Sequence, residues 1–314
     1  MSLEADALAD RRRLRRRLSF WRVLTFLAIA VALVIGIGLT DTDGALIGRD
    51  HVARVEVEGL IVGDRKRLEL LEKIKENNAA KALIVAIDSP GGTTAGSEAL
   101  YEAIREVAGE KPVVSVLGTT AASGGYIAAI AADHIVTRGN TTTASIGVIF
   151  SWPNAEELLD TIGVTVNEVK SSPLKAEPTP YKETTEESRA ILRAMVADSQ
   201  AWFRGLVAER RDLSGINLRQ ASDGRVMTGR QAIEAGLADT LGGEKEALAW
   251  LRSEHGIDAN VKVRTYRPEQ RFDAFQSDAA RIFVNLVARI VPGAETLISE
   301  PVRIDGLISI WQAE

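Results

Sequence analysis

Residues 113–132 read Val-Val-Ser-Val-Leu-Gly-Thr-Thr-Ala-Ala-Ser-Gly-Gly-Tyr-Ile-Ala-Ala-Ile-Ala-Ala. This run leaves the chain few ways to fold. A β-branched apolar stretch predicts a buried strand over Val113–Leu117, and the Ala-rich stretch after a small-residue turn predicts a helix over Gly124–Ala132. A strand that feeds straight into a helix belongs to an α/β arrangement. Ser123 stands at the junction, with Gly124 and Gly125 directly behind it. A hydroxyl there lies against unpaired backbone N–H groups and the positive end of a helix dipole. Those are the surroundings a serine nucleophile and its oxyanion need. Taken alone, the residue reads first as an ordinary helix N-cap.

The rest of the chain repeats the alternation. Val52–Glu58 predicts a half-exposed strand, Arg65–Asn77 a helix, and Ala82–Ile87 a strand buried on both faces. Asp88-Ser89-Pro90-Gly91-Gly92 predicts a turn at the carboxyl end of that strand, where open α/β sheets place their sites. Ala95–Val107 predicts a helix and Ile135–Thr137 a strand. Further on come a helix at Ala155–Ile162, a strand at Val164–Lys170 and a Pro-rich loop at Ser171–Pro180. Thr184–Arg211 predicts a long helix opened by a Thr184-x-x-Glu187 cap. Thr228 caps a short helix, Glu244–His255 forms another, and Ile282–Ile290 is apolar enough for a surface helix. Strand–helix alternation predicts a largely parallel sheet.

If Ser123 is a nucleophile it needs a base. The chain has three histidines, His51, His134 and His255. A Ser-His-Asp triad through His134 is badly placed, because Asp133 and His134 are adjacent and point apart in an extended chain. A lysine is the better base, provided burial beside apolar groups keeps its amine uncharged. Lys175 has Pro173, Leu174, Ala176 and Pro178 around it; Lys170 and Lys182 are rivals that residue chemistry does not exclude. Ser145, in Thr141-Thr142-Thr143-Ala144-Ser145-Ile146-Gly147, is a hydroxyl able to orient such an amine, or simply to bond its own loop. The backbone N–H groups of Gly92 and Gly124 form a natural oxyanion pair.

Composition narrows the function. The chain has 314 residues and no cysteine, so disulfides and thiolate chemistry are excluded. No His-x-x-x-His, dense acidic cluster, P-loop or dinucleotide fingerprint appears, so neither metal nor cofactor is expected. The first 22 residues carry seven arginines against Glu4, Asp6 and Asp10, while the whole chain has a net charge of −5. The body is therefore acidic, which argues against nucleic acid as a partner. Arg11–Arg17 precedes an apolar run from Val23 to Leu39, close to the ~20 residues of a membrane-spanning helix. The positive-inside rule keeps the arginines cytoplasmic and sends everything after Asp41 across the membrane. The run is long for a cleaved signal peptide and lacks an Ala-x-Ala site, so an uncleaved anchor is favoured.

Several motifs in fixed order resemble the short, single-domain form of the S49 serine peptidases. They are Asp88-Ser-Pro-Gly-Gly92, Ala122-Ser-Gly-Gly-Tyr-Ile-Ala128, Ala132-Asp-His-Ile135, Ala144-Ser-Ile-Gly-Val148, Lys170-Ser-x-x-x-Lys175, and Met227-Thr-Gly-Arg-x-Ala232 leading to Gly236-Leu-Ala-Asp239. The resemblance runs from about Ala53 to about Leu251. It implies a Clp-protease/crotonase-like fold of repeated ββα units with a largely parallel sheet, preceded by a transmembrane helix. It implies a Ser-Lys dyad with Ser123 as nucleophile and Lys175 as base, Ser145 orienting the lysine, and Gly92 in the oxyanion hole. It further implies a ring-shaped homo-oligomer over the membrane, with the dyad completed between subunits, degrading apolar signal-peptide remnants. The organisation that follows is a cytoplasmic basic segment (1–18), a transmembrane anchor (19–40) in contact with lipid, a peptidase domain (41–257), and a C-terminal extension (258–314) without assigned role. The location is the bacterial inner membrane, with the catalytic domain on the extracytoplasmic side. The same dyad also suits a protease of membrane-protein quality control. The same fold suits a crotonase-like enzyme of acyl-thioesters or a non-catalytic scaffold.

Overall fold

The computed structural model describes residues 50–268, the backbone of 308–310, and Trp21, Arg22 and Thr25. The basic segment, almost all of the expected anchor and the expected Ile282–Ile290 helix lie outside the described residues. Among the described residues no helix is long and apolar enough to cross a membrane.

The fold is mixed α/β on a largely parallel sheet. In chain order the elements are β1 (His51–Ile61), α1 (Arg65–Glu76), β2 (Ala80–Thr93), α2 (Thr94–Ala108), β3 (Val113–Ala122), α3 (Gly124–Ile130), β4 (His134–Thr137) and β5 (Thr142–Ala144). They continue as α4 (Glu156–Thr161), α5 (Glu186–Arg211), α6 (Gly215–Ala221), β6 (Val226–Thr228), α7 (Gly229–Glu234), β7 (Thr240–Leu241), α8 (Glu244–His255), β8 (Lys262–Tyr266) and β9 (Ile308–Ile310). The main path runs β6-β5-β3-β2-β1-β8; β4 branches from β3, and β7 pairs with β4.

The apolar run at 82–87 is continuous because β2 is covered on both faces. Leu83, Val85 and Ile87 face one core with Ile104, Ile127 and Phe203, while Ala82 and Ile84 face a second with Val114, Val136, Ala247 and Leu251. Burying each of the larger side chains contributes roughly 1.5–3 kcal/mol. The helix α1 buries only Leu70, Leu71 and Ile74 and leaves its charged face to solvent.

Four expectations need correction. The small residues 118–122, expected as a turn, continue β3 to Ala122, because Thr120–Ala122 pair with β5. The predicted turn at Asp88–Gly92 is the last part of β2, because Leu60 and Ile61 of β1 pair with Gly91 and Gly92 after a register shift at Glu58/Leu60. Val164–Lys170 forms no strand: among the described residues no strand lies beside it, and the side chains of Val164, Val166 and Val169 are exposed. The cap of α5 is Thr185, whose side chain accepts from the Ser188 amide, and not Thr184.

Two features of the sheet aim the site. The strand β3 pairs with β4 over Val114–Leu117 and with β5 over Thr120–Ala122, so its end follows a different neighbour from its start. The short β9 pairs antiparallel with Gly91–Thr93 of β2.

Candidate active site

Ser123 links β3 to α3 with φ 55 and ψ −116, a backbone conformation that side chains tolerate poorly. Two bonds hold it there: its amide donates to the Ala144 carbonyl at 2.8 Å, and its carbonyl accepts from the Ile127 amide at 3.0 Å. The residue is buried, and its hydroxyl approaches the Gly147 carbonyl at 3.4 Å.

Beside it, Ala144 and Ser145 both have positive φ, 65 and 50. The Ser145 amide donates to the Arg225 carbonyl at 2.9 Å, next to the pairing of β5 with β6. Among the described residues five non-glycine residues have positive φ: Ser123, Ala144, Ser145, Ala176 and Asp212. Asp212 is a helix C-cap. The other four are residues, or direct neighbours of residues, that the sequence nominates for chemistry. Such conformations cost about 1–3 kcal/mol each and gather at functional sites.

The glycines are there for closeness. A Cβ on Gly92 would stand 1.8 Å from the Ile61 carbonyl oxygen. A Cβ on Gly124 would stand 2.3 Å from the Ser97 hydroxyl and 3.1 Å from the Gly92 amide nitrogen. Backbone therefore packs on backbone, and the Gly92 amide comes to the side of Gly124, one residue after Ser123. Ser89 fixes the corner: its hydroxyl donates to the Gly59 carbonyl at 2.6 Å and accepts from the Gly91 amide at 3.1 Å. Ser97, which donates to the Thr93 carbonyl at 2.9 Å, roofs Gly124. Sequence reading missed Ser97, since nothing at its position on α2 announces a contact with a glycine 27 residues later.

Lys175 occupies an exposed turn in which its amide donates to the Ser172 carbonyl at 3.1 Å. Among the described residues its amine makes no hydrogen bond or ion pair, so the single chain brings together Ser123, Ser145, Gly92 and Gly124 but does not join Lys175 to them. The rival lysines are engaged elsewhere. Lys170 and Lys182 both bind Glu168 and Glu177. The hydrogen bond to Glu177, then that to Glu168, pushes the Lys182 pKa up, so its amine holds its proton more firmly than usual. A Ser-His-Asp reading is equally unsupported. Asp133 accepts from the Val113 amide at 3.0 Å and from Arg105, and the His134 ring stacks on Trp250 at 4.7 Å.

Ser123 is thus strained and stands beside the Gly124 backbone and the Gly92 amide, and sequence comparison gives the class of the chain. The model of Peptidase family S49 matches residues 105–258. A Synechocystis relative that bears a protease name is 38% identical over 211 residues, which are 67% of this chain and 76% of that protein. An Enterococcus faecium relative named as signal peptide peptidase SppA is 36% identical over 199 residues, 62% of this chain and 57% of its own. The Arabidopsis thaliana chloroplastic serine protease SPPA is 33% identical over 239 residues, 71% of this chain and 35% of its own. The chain belongs to Peptidase family S49 and is a protease of that family.

Proposed function

We propose that this protease is a membrane-anchored serine endopeptidase that cuts apolar peptides, signal-peptide remnants foremost, with Ser123 as nucleophile and Lys175 as general base. The observation that carries the reading is the strained turn of Ser123 with the Gly124 backbone closed against the Gly92 amide.

The uncharged Lys175 amine takes the Ser123 proton as the hydroxyl attacks the peptide carbonyl. The amides of Gly92 and Gly124 receive the oxyanion. The protonated amine then gives its proton to the leaving nitrogen, and water activated by the same amine releases the acyl group. Ser145, one residue beyond the carbonyl that binds Ser123, orients the amine. The substrate takes, as an extended strand, the antiparallel place that β9 holds along Gly91–Thr93. A Clp-protease/crotonase-like descent of the fold is consistent with a parallel sheet whose sites lie at strand ends.

Lys175 reaches Ser123 from a neighbouring subunit of a homo-oligomeric ring. The support is a band of exposed apolar side chains on the segment that carries it: Ile149, Leu158, Ile162, Val164, Val169 and Leu174. A surface of that kind marks a partner face. The arginine-flanked run at 19–40 serves as a single-pass anchor in a bacterial inner membrane, with the N-terminus cytoplasmic and the catalytic domain outside.

The test is turnover of an apolar fluorogenic peptide by the full chain in detergent. Ser123→Ala and Lys175→Ala each abolish it while the oligomer persists, and a serine-directed covalent probe labels Ser123. Full activity in either variant overturns the dyad. Failure of the probe to label wild-type protein points to a crotonase-like or non-catalytic role.

A further inference from the structure

The turn that presents Lys175 is closed at its base by charged side chains. Glu168 and Lys170 stand on the segment that enters the loop, Glu177 and Lys182 on the segment that leaves it. The Glu177 Oε1 atom accepts from Lys170 at 2.8 Å and from Lys182 at 2.5 Å. The Glu168 Oε1 atom accepts from the same two amines at 2.8 and 2.9 Å. Its Oε2 atom accepts from the Tyr181 hydroxyl at 2.7 Å. Each carboxylate thus bridges both amines, and the four charges cancel.

This is not the usual surface ion pair, which contributes little because two mobile side chains meet in water. The Glu177 side chain is only 5% exposed and that of Lys170 14%. The second Glu177 oxygen is buried without a partner among the described residues, so the carboxylate depends on the two amines for its compensation. Hydrogen bonds from Lys170 first, and then Tyr181 and Lys182, hold the Glu168 pKa down at about 2; those from Lys170 and then Lys182 lower that of Glu177. Both acids stay ionised across the range in which a protease works.

We propose that Glu168, Lys170, Glu177 and Lys182 form a charge-neutral clamp that fixes the Ser171–Ala176 turn and so positions Lys175 for proton transfer. The four are positioning residues, not catalytic ones. The clamp engages the other two amines of the loop and leaves Lys175 without an acidic partner to hold its proton. It also restrains a turn that is otherwise exposed and contains the strained Ala176. A base displaced by about 1 Å loses on the order of a hundredfold in rate.

The inference rests on the dyad reading, and the experiment separates the two. Steady-state kinetics of the full chain are measured for wild type, Glu177→Gln, Glu168→Gln and the charge-exchanged pair Glu177→Lys/Lys182→Glu. Trypsin cleavage after Lys175 is followed in the same proteins. In the two single variants kcat falls about tenfold or more with KM within about twofold, and cleavage at Lys175 speeds up by a similar factor. The exchanged pair regains much of both. Wild-type kcat and wild-type cleavage rates in Glu177→Gln overturn the clamp. Should Glu177→Gln fail to fold, Glu168→Gln decides by the same two readouts. If Lys175→Ala keeps full activity the dyad is wrong, yet the cleavage rates still show whether the clamp holds the turn.

Discussion

The Ser123 amide donates to the Ala144 carbonyl at 2.8 Å, and this single bond joins two strained turns. On one side is the residue with φ 55 and ψ −116. On the other are Ala144 and Ser145, both with positive φ. Any movement of β5 against β3 therefore moves Ser123 and Ser145 together. The strain is stored between two strands that pair over only three residues.

Replacing Ser123 by glycine relieves the backbone at the expense of the chemistry. Glycine adopts positive φ freely, so Ser123→Gly melts higher than Ser123→Ala, by about 1 kcal/mol, while both lack turnover. Calorimetry of the two inactive variants side by side checks this; equal or reversed melting temperatures show that the turn is unstrained.

Gly124 is sterically locked to Ser97. Gly124→Ala drives a methyl into the Ser97 hydroxyl, 2.3 Å away, and against the Gly92 amide at 3.1 Å. The expected cost is about 1–3 kcal/mol of stability, with turnover lost as the amides part. Adding Ser97→Ala removes the worst clash, so the double variant recovers stability in chemical denaturation. No recovery would place the conflict at Gly92 instead.

Arginine substitutions distinguish a base from an ion-pair partner. Arginine keeps the charge but does not release its proton. Lys175→Arg is therefore inactive, a loss of at least roughly a hundredfold, whereas Lys182→Arg retains its pairs with Glu168 and Glu177 and stays near wild type. Comparing kcat/KM of the two proteins measures the difference, and the opposite order makes Lys182 the base.

Acid stability reports on Asp239. Burial works against its carboxylate, but the Arg211 guanidinium and the Ile135 amide outweigh it and leave the pKa lowered. A depressed folded-state pKa adds stability that is complete above the ordinary carboxylate value, about pH 4, and is lost as the pH falls through the lowered one. Asp239→Asn removes that part: it is less stable at neutral pH and its stability declines less between about pH 4 and pH 2. Parallel denaturation curves for the two proteins across that range contradict the assignment.

The site was legible where its chemistry is local. A β-branched run and an Ala-rich helix place Ser123 on a strand-to-helix junction whatever surrounds it, although the small residues 118–122 between them continue the strand. Two Gly-Gly pairs announce close backbone approach, and the order of the motifs identifies the family. The extended form of residues 88–92 was hidden because it depends on Leu60 and Ile61 of β1 arriving alongside. A sequence with Pro and two glycines carries the local signal of a turn either way. The β-branched residues at 164–169 misled for the opposite reason: Val, Thr and Val favour a strand, but a strand needs a neighbour.

What the sequence settled alone was the parallel α/β plan, the absence of thiol chemistry and the nomination of Ser123, because these follow from patterns a few residues long. What the tertiary structure decided was which groups meet. Ser97 lies over Gly124, Ala144 holds Ser123, and Glu168 and Glu177 bind the lysines that competed with Lys175. The first two contacts join segments more than 20 residues apart, and the ion pairs form only once the loop folds back on itself. No local pattern encodes them, because side chains distant along the chain are brought together only when the packed sheet fixes their strands in register.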